Sequence, residues 1–424
     1  MNKLDMLPQP ARAAAEKFLI AMNDGVEYSS TAGAAWAPGR VNLIGEHTDY
    51  NEGFVLPIAV DRVAAFAGRA RADRVVRLWS MHFQEYAQFT LEGLPASFEQ
   101  QRVTLPGWAR YVLGVATELR REGIHLSGFD AVVGGDVPLG GGMSSSAALE
   151  VAAAYAFALF SGGGFTIGEG ATLQPMQVAA LCQRAEHIAS GLRSGILDQA
   201  ASCLGRPQHA VLIDCRSLDY RYLWFDAPEL ALVVIDTCVR RELASSAYNE
   251  RRRQCEEATQ LLREAIVQHE PEDVAAQSIR ALRDISPQQF ARYGSVLPEV
   301  LRKRAGYVVA EDERVLQAVK LLGEGNFEAI GRLLWQGHAG LRDEYEVSCV
   351  ELDTLVEIAR SVPGVLGARM LGGGFGGCTI NLVHTSAVEP LRQEVGEQYA
   401  ARTGLQASID ICRAAGGPGF AFLA

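Results

Sequence analysis

No feature of the chain limits its fold as strongly as the run Asp136-Val137-Pro138-Leu139-Gly140-Gly141-Gly142-Met143-Ser144-Ser145-Ser146-Ala147-Ala148. An apolar segment at 129–133 leads into it and a small-residue segment at 147–159 follows. That pattern predicts a strand, a glycine turn and a helix. Glycines let the backbone turn and approach a ligand without Cβ interference. The serines are placed to cap the new helix, whose first amides lack an intrahelical partner. Free amides at the positive end of the helix dipole suit a phosphate. The bland alternative is an ordinary strand–turn–helix connection, and three glycines followed by three serines favour phosphate binding over it.

Two common phosphate motifs are excluded. No G-x-x-x-x-G-K-[ST] is present, so the lysine of a P-loop is missing. Ser145 stands where G-x-G-x-x-G would put its third glycine after Gly140 and Gly142, which leaves a dinucleotide fold weakly supported.

A net charge of −11 argues against a nucleic-acid partner, whose binding depends on cationic neutralisation of phosphates. An anionic ligand must then be held by local donors or a metal. The eight cysteines are scattered without a C-x-x-C, which fits buried thiols in a reducing compartment rather than a disulfide or zinc framework. Charged residues interrupt the first helix-like segment, so it does not read as a signal peptide. No apolar stretch is long enough to span a bilayer. A cytoplasmic protein without a membrane partner is expected. At 424 residues and 48% hydrophobic, the chain can bury a large core in about two or three domains.

In chain order, residues 8–22 predict an amphipathic helix. Strands are expected at 34–37, 54–60 and 63–69, with a loop from Pro38 to Asn51 between the first two. Within a dozen residues that loop offers Arg40, Glu46, His47, Asp49 and several amides. So many short polar groups are costly to bury unless something hydrogen-bonds them. A polyhydroxylated small molecule would do so, and a solvated turn is the plain alternative. A metal bound by Glu46, His47 and Asp49 is a third option, and the loop alone does not decide.

A strand pair is expected at 75–79 and 86–91, a helix from Trp108 to about residue 121, and a flexible glycine-rich insertion at 161–172. The helix expected at 175–189 carries Glu186 at the edge of its apolar stripe. That carboxylate is a rim residue or, if the helix lines a cleft, a metal ligand. A turn at 193–200 sets Asp198 among small neighbours, where an acid is more often a helix cap than a catalyst. Further strands are expected at 209–213 and 230–236, with a domain boundary between about 214 and 230. Ser245 and Ser246 can cap a long helix carrying Tyr248 in its first turn. Its Arg251-Arg252-Arg253 reads as a solvated face paired with Glu256 and Glu257. Helices are expected over 270–362. A strand at 367–371 then leads through Gly372-Gly373-Gly374-Phe375-Gly376-Gly377 to a second at 378–383. Five glycines around one phenylalanine suggest close backbone approach to something. A helix at 388–402 and a strand at 407–412 close the pattern.

With these stretches in this order, the chain resembles the galactokinase family of the GHMP small-molecule kinases. Gly39-Arg40-Val41-Asn42-Leu43-Ile44-Gly45-Glu46-His47-Thr48-Asp49-Tyr50 resembles the family's signature, residues 138–148 its ATP-binding motif and 371–378 its third motif. Ala244-Ser245-Ser246-Ala247-Tyr248 followed by Arg251-Arg252-Arg253-Gln254-Cys255 is also family-like. The departures are few: Met143 stands where leucine is commoner and Ala247 where an acidic residue often sits. Arg193 lies in the turn before Asp198, and 162–170 reads as a surface insertion.

The resemblance implies an α+β, two-lobed GHMP kinase fold. An N-terminal lobe (1–220) with a left-handed βαβ unit binds galactose and ATP, a ferredoxin-like C-terminal lobe occupies 221–424, and the active site lies between them. The implied reaction is transfer of the γ-phosphoryl of Mg-ATP to O1 of D-galactose. By the same resemblance Asp198 and Arg40 are catalytic, and Glu46, His47, Thr48, Asp49, Gly195 and Tyr248 bind the sugar. Gly140, Gly141, Gly142, Met143, Ser144, Ser145 and Ser146 cradle the phosphates, Ser80 and Trp108 contact the adenine, and Ser146 and Glu186 hold Mg²⁺. Positioning and electrostatics are then expected to supply most of the rate. A monomer or a weak homodimer is expected. The rival readings are a kinase for N-acetylgalactosamine or L-arabinose, and a sugar- and ATP-binding sensor without catalysis. The intact Ser144-Ser145-Ser146, Asp198 and Arg40 favour an active enzyme.

Overall fold

The structure is a computed structural model and describes residues 3–21, 32–240, 244–270, 272 and 274–423. Met22 and the side chain of Ser245, both part of expected helices, lie outside the described residues. Helix α1 (Gln9–Ala21) buries Ala11, Ala14, Ala15 and Phe18 against the chain's first sheet. There follow β1 (Gly33–Asn42), β2 (Phe54–Val55), β3 (Pro57–Ala70), β4 (Val75–Ser80), β5 (Glu85–Thr90), α2 (Phe98–Arg102), α3 (Gly107–Arg121) and β6 (Phe129–Gly135). The next elements are α4 (Ser145–Phe160), α5 (Pro175–Ser190), α6 (Leu197–Cys203), β7 (His209–Asp214), β8 (Tyr220–Trp224) and β9 (Leu230–Asp236). The mainly helical stretch comprises α7 (Ala244–His269), α8 (Val274–Gln277), α9 (Pro287–Tyr293), α10 (Glu299–Gly323), α11 (Phe327–Asp343) and α12 (Val350–Ser361). Last come β10 (Val365–Leu371), β11 (Cys378–His384), α13 (Val388–Thr403), β12 (Ser408–Cys412) and β13 (Gly419–Phe422).

The six-stranded sheet has the order β13-β1-β3-β6-β4-β5, in which β4 and β6 run parallel and the other neighbours antiparallel. A four-stranded antiparallel sheet, β10-β11-β9-β12, carries the second core. In β9 the side chains alternate: Val233 and Ile235 pack with α12 and α13, while Leu232 and Val234 join the main core on the other face. A strand covered on both faces reads as an unbroken apolar run, as 230–235 does. Helix α4 is apolar on every side because it is buried between the first sheet and helices α3, α5 and α6.

Three strand expectations need correction. The segments 54–60 and 63–69 do not form two strands. Val55 closes the short β2, and one strand, β3, runs from Pro57 to Ala70 through the polar pair Asp61-Arg62, where its burial pattern dips. The expected loop from Pro38 begins five residues late, because β1 absorbs Pro38-Gly39 through a register shift between Pro38 and Arg40 and continues to Asn42. Strand β8 lies inside the stretch expected as a boundary. It pairs with β7 in a three-stranded sheet with β2, and its sparse burial is why 220–224 does not look like a strand.

Candidate active site

The glycine–serine run forms the expected link from β6 to α4, and one detail differs. Ser144 is the N-cap residue of α4, yet no side chain caps the helix there. Ser144 is left-handed (φ 55°), and its hydroxyl donates instead to Oδ2 of Asp198. No serine side chain therefore occupies the first amides of α4, and Ser144, Ser145 and Ser146 line the cleft. Gly142 has φ +76°, and a Cβ there would lie 2.9 Å from the carbonyl of Leu371, so a larger residue would push this loop off the third glycine stretch.

Because β1 extends to Asn42, Arg40 sits on a strand and not in a mobile loop. Its amide bonds to the Met143 carbonyl at 3.1 Å, its Nε donates to Asp198 Oδ1 at 2.8 Å, and its Nη1 donates to the Gly142 carbonyl. Asp198, in the first turn of α6, is thus held by Arg40 on one oxygen and Ser144 on the other.

The polar stretch after β1 folds into a tight corner. Glu46 is buried, bonded to Arg369 Nη2 at 2.6 Å and to the Gly372 amide at 3.0 Å. Burial raises its pKa and the Arg369 charge opposes that rise. His47 packs between the rings of Tyr345 and Tyr248, with centroids 4.8 and 5.4 Å away. Burial, aided by the Arg251 charge and opposed by the Gly373 backbone, lowers its pKa to about 3. Asp49 accepts from the Tyr50 amide at 2.9 Å. Its pKa is pushed up to about 6 by desolvation and then by the nearby Asp198. Thr48 turns inward, its one hydroxyl hydrogen shared between the carbonyls of Gly45 and Phe54.

A single cleft of about 380 Å³ is lined by Arg40, Glu46, His47, Asp49, Gly140, Gly142, Ser144, Ser145, Ser146, Glu186, Gly195, Asp198 and Tyr248, together with 371–377. Thr48, Gly141 and Met143 stand behind its wall, and Ser80 and Trp108 do not line it. Ser80 accepts from the Phe83 amide, and the Trp108 indole donates to Glu85 at 2.8 Å. Glu186 is no rim residue. It is buried, with Oε1 3.1 Å from the Ser146 hydroxyl, while Oε2 accepts from Ser194 and from Gln199 at 3.1 Å. Its pKa is raised by burial, against the pull of the Ser194 hydroxyl. Among the described residues no cluster of three or more His, Cys, Asp and Glu side chains could hold a metal, so the Glu46–His47–Asp49 metal option is set aside.

The expectation for the arginine triplet also resolves. Arg252 and Arg253 pair with Glu256 and Glu257 as expected, but Arg251 donates to the carbonyls of Tyr345 and Glu346. Arg193 turns away to Glu256 at 2.8 Å. The residue that sequence reasoning missed is Arg369. An arginine inside the apolar strand 365–371 was the available signal, because a buried guanidinium demands a buried partner.

Fold and site together define a GHMP-type small-molecule kinase. The chain matches the models described as GHMP kinases N terminal domain over 110–206 and GHMP kinases C terminal over 318–401, and the galactokinase galactose-binding signature over 26–70. It is 44% identical over 383 residues to a galactokinase of Roseiflexus sp. (strain RS-1), covering 90% of this chain and 91% of that protein. The Homo sapiens galactokinase is 42% identical over 367 residues, covering 86% and 87%. The chain therefore belongs to the galactokinase family. A Lactococcus lactis galactokinase, solved in complex with galactose, superposes with a TM-score of 0.83 at 33% identity, covering 96% of this chain and 98% of that one. The mevalonate kinase of Methanococcus jannaschii shares the fold at a TM-score of 0.60 and 17% identity.

Proposed function

We propose that this chain transfers the γ-phosphoryl of ATP to O1 of D-galactose, giving α-D-galactose 1-phosphate. One observation carries the reading: Asp198, clamped by Arg40 and Ser144, shares a cleft with both the Glu46–His47–Asp49 corner and the start of α4. The galactose O1 attacks the γ-phosphorus, the bond to the β–γ bridging oxygen breaks, and ADP leaves. The O1 proton passes to Asp198. Arg40 fixes that carboxylate and offsets charge on the transferring group, as a loose transition state requires. Glu46 and Asp49 accept hydrogen bonds from sugar hydroxyls, with Gly195 and Tyr248 closing the pocket. The phosphates sit on the 140–146 loop, and on family resemblance alone Ser80 and Trp108 serve the adenine.

Mg²⁺ fits the donor set. Ser146 and Glu186 offer two hard oxygens 3.1 Å apart at the helix start, and Mg²⁺ takes few protein oxygens together with phosphates and waters. When bound, the ion neutralises charge on the phosphates. The same reading puts the enzyme in the cytoplasm, as a monomer or weak homodimer with lobes divided near residue 220. Among the described residues, no helix is long and apolar enough to cross a membrane. ADP release with Mg-ATP across galactose, N-acetylgalactosamine and L-arabinose tests the assignment. Turnover on another sugar and none on galactose rejects the substrate, and no turnover on any sugar rejects the enzyme in favour of a sensor.

A further inference from the structure

Behind His47 lies a row of hydrogen-bonding side chains with no part in the phosphoryl transfer. His47 Nδ1 is 2.8 Å from the Tyr50 hydroxyl, which is 2.6 Å from the Tyr345 hydroxyl, which is 3.1 Å from Cys255 Sγ. Three parts of the fold meet here: the corner after β1, helix α7, and the segment after α11. Tyr345 and Cys255 are buried, so each proton in the row goes to a neighbour rather than to water.

Four neutral groups carry four protons. Three links use three of them, and the spare proton rests at one end. A phenol O–H is a stronger acid than an imidazole N–H, and an imidazole nitrogen accepts better than a phenol oxygen, so Tyr50 donates to Nδ1. With Tyr50 so oriented, the Tyr50–Tyr345 link takes the Tyr345 hydrogen and the Tyr345–Cys255 link takes the thiol hydrogen. The spare proton therefore sits on His47 Nε2. That atom is buried and makes no hydrogen bond of normal geometry, the Gly373 backbone lies near the ring, and the side chain lines the cleft.

We propose that Tyr50 and Tyr345 are positioning residues whose relay, ended by Cys255, holds His47 as the Nε2–H tautomer and so presents a donor to a hydroxyl of the bound sugar. The inference rests on the sugar-binding reading of this corner. Glu46 and Asp49 are acceptors there, and His47 is the donor beside them. A sugar lacking the matching oxygen leaves a buried N–H unpaired, which such sites reject strongly.

The test is a two-bond ¹⁵N NMR spectrum of histidine-labelled protein without sugar, with the His47 signal assigned by its loss in His47→Gln. The expected result is the Nε2–H pattern in the wild type and a mixture of tautomers in Tyr50→Phe and Tyr345→Phe. Cys255→Ser, which keeps a donor, is expected to hold the Nε2–H form, and Cys255→Ala to relax it. In kinetics, Tyr50→Phe is expected to raise the sugar KM roughly three- to tenfold, with kcat and the ATP KM within about twofold. An Nδ1–H pattern in the wild type, or unchanged tautomers in both phenylalanine variants, overturns the proposal. Should Tyr50→Phe not fold, Tyr345→Phe carries the same readout. Because the spectrum needs no sugar, an error in the substrate shows up in turnover and leaves the tautomer result intact.

Discussion

Arg369 on β10 and Glu46 in the corner after β1 meet at 2.6 Å with both side chains almost wholly out of solvent, tying the C-terminal sheet to the sugar-side carboxylate. Arg369 also donates to the carbonyls of Leu43 and Met370, at 3.0 and 2.8 Å. Removing one partner of a buried pair strands the other charge, at a cost of about 3–5 kcal/mol. Arg369→Met is expected to lose stability of that order in urea unfolding and to weaken sugar binding. Arg369→Lys should rescue little, because one ammonium cannot reproduce the guanidinium fork.

Gly195 sits where a Cβ would fall 2.0 Å from Oδ2 of Asp49. Gly195→Ala must displace that carboxylate. Losing a hydrogen bond to a charged group is worth about 1.5–3 kcal/mol, so the galactose KM should rise about ten- to a hundredfold. The ATP KM should hold. A matching rise in both constants would show general loop damage instead.

Ser144 and Arg40 share the task of holding Asp198, one on each oxygen. Asp198→Ala is expected to abolish turnover while calorimetry still detects galactose binding. Ser144→Ala removes one clamp, and about a tenfold loss of kcat is expected. Near-wild-type turnover in Asp198→Ala would refute the assigned role.

Asp312 on α10 accepts from the Phe54 amide at 2.8 Å, while its other oxygen is buried without a partner. Burial pushes its pKa up to about 7. A raised carboxyl leaves stability at its fullest below the unfolded pKa and erodes it as pH climbs through the folded one. The stability contributed by Asp312 should therefore fall between about pH 4 and 7. Asp312→Asn keeps the acceptor and cannot ionise, so it should gain about 2–4 kcal/mol over wild type at pH 8 relative to pH 4. Denaturant titrations at the two pH values give the comparison.

The glycine–serine turn, the polar corner and the glycine stretch at 372–377 were legible because each concentrates residues that a plain turn does not need. What escaped reading was set by distant contacts. Ser144 looks like a cap until Asp198, 54 positions away, takes its hydroxyl. Asp61-Arg62 looks like a turn because nothing local shows that β3 has sheet partners on both sides. Arg369 was passed over because its partner lies 323 positions earlier, at Glu46. Strand β13 gave no signal, since it is only four residues long and both of its phenylalanines are exposed.

That last strand pairs with β1, Gly33 to Phe422 through Trp36 to Gly419. A chain emerging from the ribosome makes β1 first and its partner β13 only after all the other strands and helices named above. The sheet that carries Arg40 therefore waits, with an open border, until β13 has been made. Until then a nascent chain offers that border to other strands. Deleting residues 419–422, which form β13, should cost solubility before it costs any contact in the cleft.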